Sequence, residues 1–194
     1  MKYFLIISCL LIIQSTAAEE KTLISKDVES GWFVASVNKF TSINDEMVHI
    51  DGWRLAWVAN SRYNIGWTSY GLDDNDKTEI PVSYNNVPVM MQMDLHGPEF
   101  EYVSNPDELF HWTAAVHAGF GDLNYSVESA DRKWDKDWVY FVEPSAHIEV
   151  NVFKWMRADL GASYRYVTGV GFKGLNNADV SGASAVLTFK FGSF

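Results

Sequence analysis

Apolar and polar side chains alternate with a period of two over most of the chain that follows residue 30. Between Met156 and Tyr166, every even position is apolar or aromatic, whereas the odd positions carry charged or small side chains. The stretch from Phe110 to Phe120 alternates in the same way. Successive side chains of a β-strand point to opposite faces of the strand. The pattern therefore predicts strands that have one apolar and one polar face.

The alternation, together with turn signals such as residues 104–107, divides the chain into eight candidate strands. They cover residues 31–41, 47–60, 63–72, 89–103, 110–120, 138–150, 155–167 and 180–191. Long loops over 73–88, 123–137 and 168–179 alternate with short connections from the second connection onward. In outer-membrane barrels, short turns lie on the periplasmic side and long loops lie outside the cell. The predicted fold is therefore all-β, an eight-stranded antiparallel transmembrane β-barrel with up-and-down topology.

One candidate strand, 89–103, changes parity along its length. Met91 is apolar at an odd position, whereas Pro98 and Phe100 are apolar at even positions. An extra residue in one strand shifts the alternation by one position. The sequence therefore predicts a β-bulge near His96 and Gly97.

The two faces of the strands differ strongly in chemistry. Eight strands enclose a space just wide enough for side chains, and the many aromatic rings would overfill it. This favours a barrel with its charges inside and its rings against lipid over a soluble barrel with the reverse arrangement. The predicted polar network of the lumen consists of Arg54, Glu99, Glu101, Glu143, His147, Glu149, Arg157, Asp159 and Arg165. The predicted lipid-facing aromatic girdle consists of Trp57, Trp112, Trp138, Tyr140, Tyr164, Tyr166, Phe189 and Phe191.

The N-terminus has the pattern of a secretory signal peptide over residues 1–18. Lys2 is followed by an apolar stretch and then by small residues that end at Ala18. Residues 19–30 are polar and are predicted to be a flexible lead-in, so that the barrel occupies residues 31–194. Cys9, the only cysteine of the sequence, lies in the apolar stretch. A chain cleaved after Ala18 would have no disulfide, thiolate metal site or cysteine nucleophile.

Composition limits the partners that the chain can have. The formal net charge is -10 and no basic cluster is present, which argues against binding to nucleic acid. Outside the predicted signal peptide, no apolar stretch is long enough to form a transmembrane helix. Aromatic residues make up 15% of the sequence, and the predicted girdle accounts for many of them.

Several segments resemble a family of small bacterial outer-membrane β-barrel proteins, whose members are porin-like and mostly uncharacterised. The segments that carry the resemblance are residues 39–44, 97–102, 142–144, 149–152, 163–167, 181–182 and 187–192. The resemblance implies the bacterial outer membrane as the location and barrel-assembly machinery as a partner. It implies no catalytic residues. Such barrels usually end in an aromatic residue that is in phase with the lipid face of the last strand. Phe194 is out of phase with Phe189 and Phe191, so either Phe194 or Phe191 is the candidate assembly signal.

Charged residues of the polar face have two interpretations. Arg54, Arg157 and Arg165 could gate a narrow pore by facing the carboxylates of the same face. Alternatively, they are the paired polar filling that a small barrel needs, because unpaired charges in its interior are expensive. An eight-stranded barrel leaves no open lumen, which favours the filling.

Three other kinds of site receive less support from the sequence. His111 and His117 share a face but are six residues apart, about 20 Å along a strand, so one metal ion cannot bind both. Ser145, His147 and Glu149 have the residue types of a hydrolytic triad, yet neighbours among them are about 6.6 Å apart along the strand. The acidic loop 73–79 could hold calcium but lacks a calcium-loop glycine.

The sequence therefore predicts a monomeric outer-membrane barrel with a structural or surface-binding role and a lumen filled by side chains. Its expected partners are outer-membrane lipid and the barrel-assembly machinery. No cofactor, metal ion or enzyme activity is expected. The alternatives are a narrow porin for small solutes, a small-ligand-binding barrel, soluble or in the membrane, and, with the least support, an enzyme that modifies outer-membrane lipids.

Overall fold

A computed structural model describes the backbone of residues 28–72, 78–84, 87–127 and 130–194, and the side chains of these residues except 78–84, 87, 88, 127 and 130–135. The predicted signal peptide, most of the lead-in and residues 73–77 of the acidic loop 73–79 lie outside the described residues. The strands are β1 (Ser30–Ile43), β2 (Glu46–Ala59), β3 (Tyr63–Leu72), β4 (Thr78–Tyr84), β5 (Val87–Val103), β6 (Phe110–Val127), β7 (Ala130–Phe153), β8 (Met156–Thr168) and β9 (Gly182–Ser193). One helical turn, α1 (Asn177–Val180), precedes β9.

Eight of these strands close into an antiparallel barrel. Each strand pairs with its neighbour in the chain, β9 pairs with β1, and β3 pairs with β5. The short strand β4 pairs only with the start of β5, beyond the point where β3 ends. The predicted eight-stranded, up-and-down fold is therefore confirmed.

The pairing register sets the tilt of the strands. Directly paired residues can be followed once around the barrel from Ser30 on β1, and they return to β1 at Phe40. This displacement of ten residues requires strands that are steeply inclined to the barrel axis. A row of paired residues therefore moves, at each step from β1 through β2 and β3 towards β9, closer to the end of the barrel at which β1 finishes.

The barrel has two unlike ends, which we call the loop end and the turn end. Connections β3–β5, β6–β7 and β8–β9 lie at the loop end, and β1–β2 joins them there through Asn44 and Asp45. Both residues have positive φ, as a two-residue type I′ hairpin turn requires. Connections β2–β3, β5–β6 and β7–β8 lie at the turn end, together with Ser30 and Ser193. Within the described residues, no helix is long and apolar enough to cross a bilayer.

The predicted bulge near His96 and Gly97 is wrong. β5 keeps one register with β6 on both sides of this point, since His96 pairs with Phe120 and Glu99 pairs with His117. Odd residues of β5 point inward along its described length, from Met91 to Val103. The apolar residues change from odd to even positions because the inward side chains are apolar at the loop end and polar towards the turn end. The outward side chains are polar at the loop end and apolar towards the turn end.

Two of the three predicted long loops are largely strand. β4 lies within 73–88, and β6 and β7 extend through most of 123–137. Leu123 and Tyr125 point inward and are buried, whereas Asp122 on the outer face is half-buried. Between Phe110 and Phe120 the outward side chains of β6 are instead apolar and the inward ones are mostly polar or small. A single alternating pattern therefore does not continue through the whole strand. The predicted loop 168–179 contains the start of α1.

Candidate functional site

The interior of the barrel is built in three layers. At the loop end, an apolar cluster fills the lumen, and we call it the loop-end core. Its buried members are Ile43, Val48, Ile50, Tyr70, Val89, Met91, Met93, Leu95, Leu123, Tyr125, Val139, Phe141, Val167, Leu175 and Val180. At the turn end, a smaller cluster of Phe33, Ala35, Ala56 and Val58 packs against Phe194. Most of the buried polar residues lie between these clusters, whereas His111 and Arg157 lie at the turn end, His111 against the carbonyl oxygen of Glu108 and Arg157 against the Phe194 ring.

Lys190 on β9 is the centre of the polar layer. Its ammonium group lies 3.0 Å from a carboxylate oxygen of Glu101 and 3.3 Å from one of Asp159, and it also contacts Glu149. The Lys190 side chain is 1% exposed, and its three partners are equally hidden from solvent. One cation thus joins residues from β5, β7 and β8 across the lumen. Buried charge pairs of this kind are costly to break from one side.

Arg54 on β2 extends the same network towards β5. Its guanidinium lies 2.8 Å from Glu99 and 3.1 Å from Glu101. Asn64 donates a second hydrogen bond to Glu101 at 2.5 Å. Glu101 therefore has partners on β2, β3 and β9, which are neighbours or near neighbours around the barrel wall.

Lys39 on β1 forms a second centre with Glu143 on β7. Their charged atoms are 2.8 Å apart, although 104 positions separate them in the sequence. Ser163 donates to the same carboxylate at 2.5 Å, and the Tyr70 hydroxyl donates to its other oxygen. The Lys39 ammonium also lies 3.5 Å from the centre of the Tyr70 ring, where a cation is attracted to the π face.

Three further polar residues attach to the carboxylates that surround Lys190. His111 lies 2.9 Å and Arg157 lies 3.1 Å from the same oxygen of Glu149. His147 lies 3.0 Å from Asp159. Arg165 differs from the other arginines because it donates two hydrogen bonds, of 3.0 and 3.1 Å, to the carbonyl oxygen of Val180 at the end of α1.

The formal charges of the polar layer balance. Its described cations are Lys39, Arg54, Arg157, Arg165 and Lys190, and its described carboxylates are Glu99, Glu101, Glu143, Glu149 and Asp159. Five positive and five negative side chains leave no net charge when the histidines are neutral. Rings of charged side chains of one sign are one way in which pores select ions. The balance favours a structural filling.

All nine residues of the predicted polar network lie on the inward face. Ion pairs join seven of them around Lys190, whereas Glu143 pairs with Lys39 and Arg165 bonds the Val180 carbonyl. Sequence reasoning missed Lys39 and Lys190, the two lysines at its centres. Lys190 sits between Phe189 and Phe191 in an alternating strand, and this position is a signal that its side chain points inward. His111 and His117, noted above as sharing a face, also belong to the inward set.

The three residues considered for hydrolysis do not form a relay. His147 lies beside Asp159, and Glu149 is held by Lys190, Arg157 and His111. Ser145 lines a small internal cavity of about 30 Å³ in the polar layer, with room for a few water molecules. His117 lines it too, with its ring packed edge-on against Tyr70 and Phe141. No group of three possible metal ligands occurs in the described part of the chain.

Aromatic and aliphatic side chains cover the outward face of the barrel. The structure places all eight residues of the predicted girdle on this face, with Trp57 and Phe189 half-exposed and the other six exposed. Leu160 and Ile148, between the two aromatic ends, are 64% and 60% exposed. Surfaces this apolar are rare on soluble monomers, and they are suited to contact with lipid.

Phe194 and Phe191 take opposite sides of the barrel wall. Phe191 points outward and lies in the outer aromatic surface beside Trp155, with ring centres 6.2 Å apart. Phe194 turns into the lumen, where its ring stacks on Phe33 at 5.7 Å and faces the Arg157 guanidinium at 4.2 Å. Of these two residues, only Phe191 presents its ring in phase with the lipid face. Recognition by the assembly machinery stays a prediction, with Phe191 as the candidate.

The barrel resembles solved outer-membrane proteins in shape. No protein-family model and no curated protein matches the chain. Neisserial surface protein A is 7% identical, with 84% of this chain and 96% of that one covered and a TM-score of 0.52. Ail, the attachment invasion locus protein of Yersinia pestis, is 11% identical, with 85% and 98% covered and a TM-score of 0.47; it was solved with the heparin analogue sucrose octasulfate. At such low identity the likeness shows the fold alone, and this chain has the fold of the small eight-stranded outer-membrane barrels.

Proposed function

We propose that this protein is a barrel of the Gram-negative outer membrane that carries no solute and acts as a structural or binding element at the cell surface. The outward apolar run on β6, from Phe110 to Phe120, supports the membrane placement. With about 3.4 Å per residue and a strand tilt near 40°, this run rises about 25 Å along the barrel axis. A band of this height matches the apolar belt of outer-membrane barrels.

The closed interior is the observation that carries the proposal. A solute entering from the loop end would have to displace the loop-end core, and behind it the ion pairs of Lys190 and Lys39. From the turn end it would meet Phe194 and Phe33. The cavity in the polar layer is too small for more than a few waters. Activity is therefore expected on the outer surface and not in the lumen.

A rigid platform at the loop end supports a binding role there. β6 and β7 continue past Phe120 and Trp138, the outward rings nearest the loop end among their described side chains, as a hairpin that reaches Val127. Asp137 fastens the β8–β9 connection to this hairpin, since its carboxylate accepts hydrogen bonds from the backbone of Gly171 at 2.9 Å and Phe172 at 3.0 Å. The Tyr125 hydroxyl donates to the same carboxylate oxygen. Strand pairing and this anchor hold a defined surface above the bilayer.

Purified protein in planar phosphatidylcholine bilayers is expected to give no steady conductance steps, because the lumen is filled at both ends and in the middle. A general porin inserted into the same bilayer serves as the positive control. Insertion of the test protein is checked independently by its protection from protease in vesicles. Regular single-channel steps that scale with the inserted protein would contradict the proposal and favour the narrow porin.

A further inference from the structure

The apolar band around the barrel has two unequal sides. On β6 and β8, the outward apolar runs Phe110–Phe120 and Met156–Tyr166 each rise about 25 Å. On β3 and β5, the corresponding runs are only Tyr63–Trp67 and Pro98–Tyr102, each rising about 10 Å. We call the outward faces of β2, β3 and β5 the short arc, and those of β6 to β9 the tall arc.

A row of paired positions with acidic side chains crosses the short arc above its apolar runs. Asp51 on β2 pairs across the ladder with Gly71 on β3, Gly71 with Asp94 on β5, and Asp94 with Asp122 on β6. Asp51 and Asp94 are exposed on the outer face. Paired rows move towards the loop end from β2 to β6, so Asp51 is the member of this row that lies nearest the turn end. Asp122, at the other end of the row, lies nearer the loop end than Phe120, the last ring of the tall arc on β6.

Polar groups continue from this row up to the loop end. Above Asp51 lies His49, and above Asp94 lies Gln92, all on the outward face. Below it, Ser69 and His96 form the next pair. The polar surface of the short arc thus extends to the loop end and is not enclosed by apolar residues. A charged side chain that faces acyl chains destabilises a barrel most near mid-bilayer and little at the interface.

We propose that the short arc holds the polar head groups of the outer leaflet, with their water, about 10 Å closer to the bilayer centre than the tall arc does. The inference rests on the proposed membrane placement. A bilayer next to an apolar span that is too short adapts by thinning, at a modest cost per ångström. The barrel would then thin the membrane on one side only. The polar surface of the short arc extends without interruption to the loop end, so head groups and water can cover it. This favours head groups over a second copy of the protein, because no polar patch is enclosed by apolar residues and left to be covered by a complementary protein surface.

Two outward positions at the same height provide a matched pair for a test. Ser69 pairs with Trp53, Trp53 with Ser36, and Ser36 with Phe189 on β9. Paired rows are inclined to the barrel axis, so Phe189 lies about four residues nearer the turn end than Ser69 does. The residue of β9 that lies at the same height as Ser69 is therefore Ala185. Ser69 lies in the short arc and Ala185 in the tall arc. Both side chains are small and face outward, so a label at either position does not disturb the lumen.

The experiment attaches a nitroxide to Ser69→Cys or Ala185→Cys in the full chain with Cys9→Ser, reconstituted in phosphatidylcholine vesicles. Electron paramagnetic resonance then measures collisions with oxygen, which concentrates among acyl chains, and with a water-soluble nickel chelate. The label at 69 is expected to collide severalfold more often with nickel than the label at 185. Adding Asp51→Leu and Asp94→Leu is expected to lower nickel access at 69 towards the value at 185.

Equal protection of both labels from nickel would overturn the proposal, because the head groups would then lie at one height. Protection at 69 accompanied by cysteine cross-linking between two copies at that position would also overturn it, in favour of a dimer contact. Free nickel access at both positions would instead show that the barrel is not embedded. The failure of the membrane placement is thus distinguishable from the failure of the unequal arcs.

Discussion

Replacing Lys190 with methionine is expected to lower the free energy of unfolding by about 3 to 5 kcal/mol, the usual cost of removing one partner of a buried ion pair. The methionine side chain has a similar length but leaves Glu101, Glu149 and Asp159 together without their shared cation. Like charges in a medium of low polarity repel strongly. The measurement is urea unfolding in lipid vesicles, followed by tryptophan fluorescence.

Lys136→Met is the matched control for this change. Lys136 also forms an ion pair, with Asp122 at 3.4 Å, but its side chain is 43% exposed and lies on the outer side of β7. Exposed pairs contribute about 0 to 1 kcal/mol, so the control is expected to unfold almost like the unmodified protein. Equal effects of the two substitutions would contradict the assignment of Lys190 as the centre of the lumen network.

Leu160→Arg is expected to destabilise the membrane-inserted barrel by about 2 to 4 kcal/mol, the cost of a lipid-facing arginine near mid-bilayer. Leu160 is 64% exposed and lies midway along the outward apolar run of β8. The fraction of protein recovered as folded barrel in the outer membrane is expected to fall accordingly. In a soluble protein, the same change at so exposed a position would be nearly neutral.

Phe153→Arg controls for the introduced charge itself. Phe153 is also largely exposed, at 56%, but it lies at the turn end beside Trp155, where the bilayer interface is expected. An arginine there costs about 0 to 1 kcal/mol. If both variants fold equally well, Leu160 does not face lipid, and the membrane placement is wrong.

The period-two pattern predicted the lower half of the barrel well because both faces there have uniform chemistry. Between Phe110 and Phe120, outward rings alternate with inward polar or small residues, so strand, face and burial all follow from one rule. The same rule assigned Arg54, Glu101, Glu149 and their neighbours to the interior.

Above the aromatic ends the rule reverses, and this reversal explains the errors. Met93 and Leu123 point into the loop-end core while Asp94 and Asp122 point outward. A single sequence does not show at which residue the lumen changes from polar to apolar. From the sequence alone, the reversal therefore predicts a bulge in β5 and a loop after β6.

The pairing of charges was also beyond the reach of the sequence. Lys39 and Glu143 meet across the lumen from 104 positions apart, and their contact depends on the ten-residue displacement of the closed barrel. Strand alternation fixes the face of each residue but not its height relative to residues on distant strands. The inward turn of Phe194 likewise depends on the space beside Phe33, which only the closed structure defines.

Membrane fractionation combined with gel mobility before and after heating tests the central claim most directly. The protein is expected to remain with the outer membrane through salt and alkaline washes and to require detergent for extraction. Its unheated form is expected to run at a different apparent size from the boiled form, because the closed barrel resists detergent until heated. Recovery in the soluble fraction without detergent, together with identical mobility before and after boiling, would contradict an outer-membrane barrel.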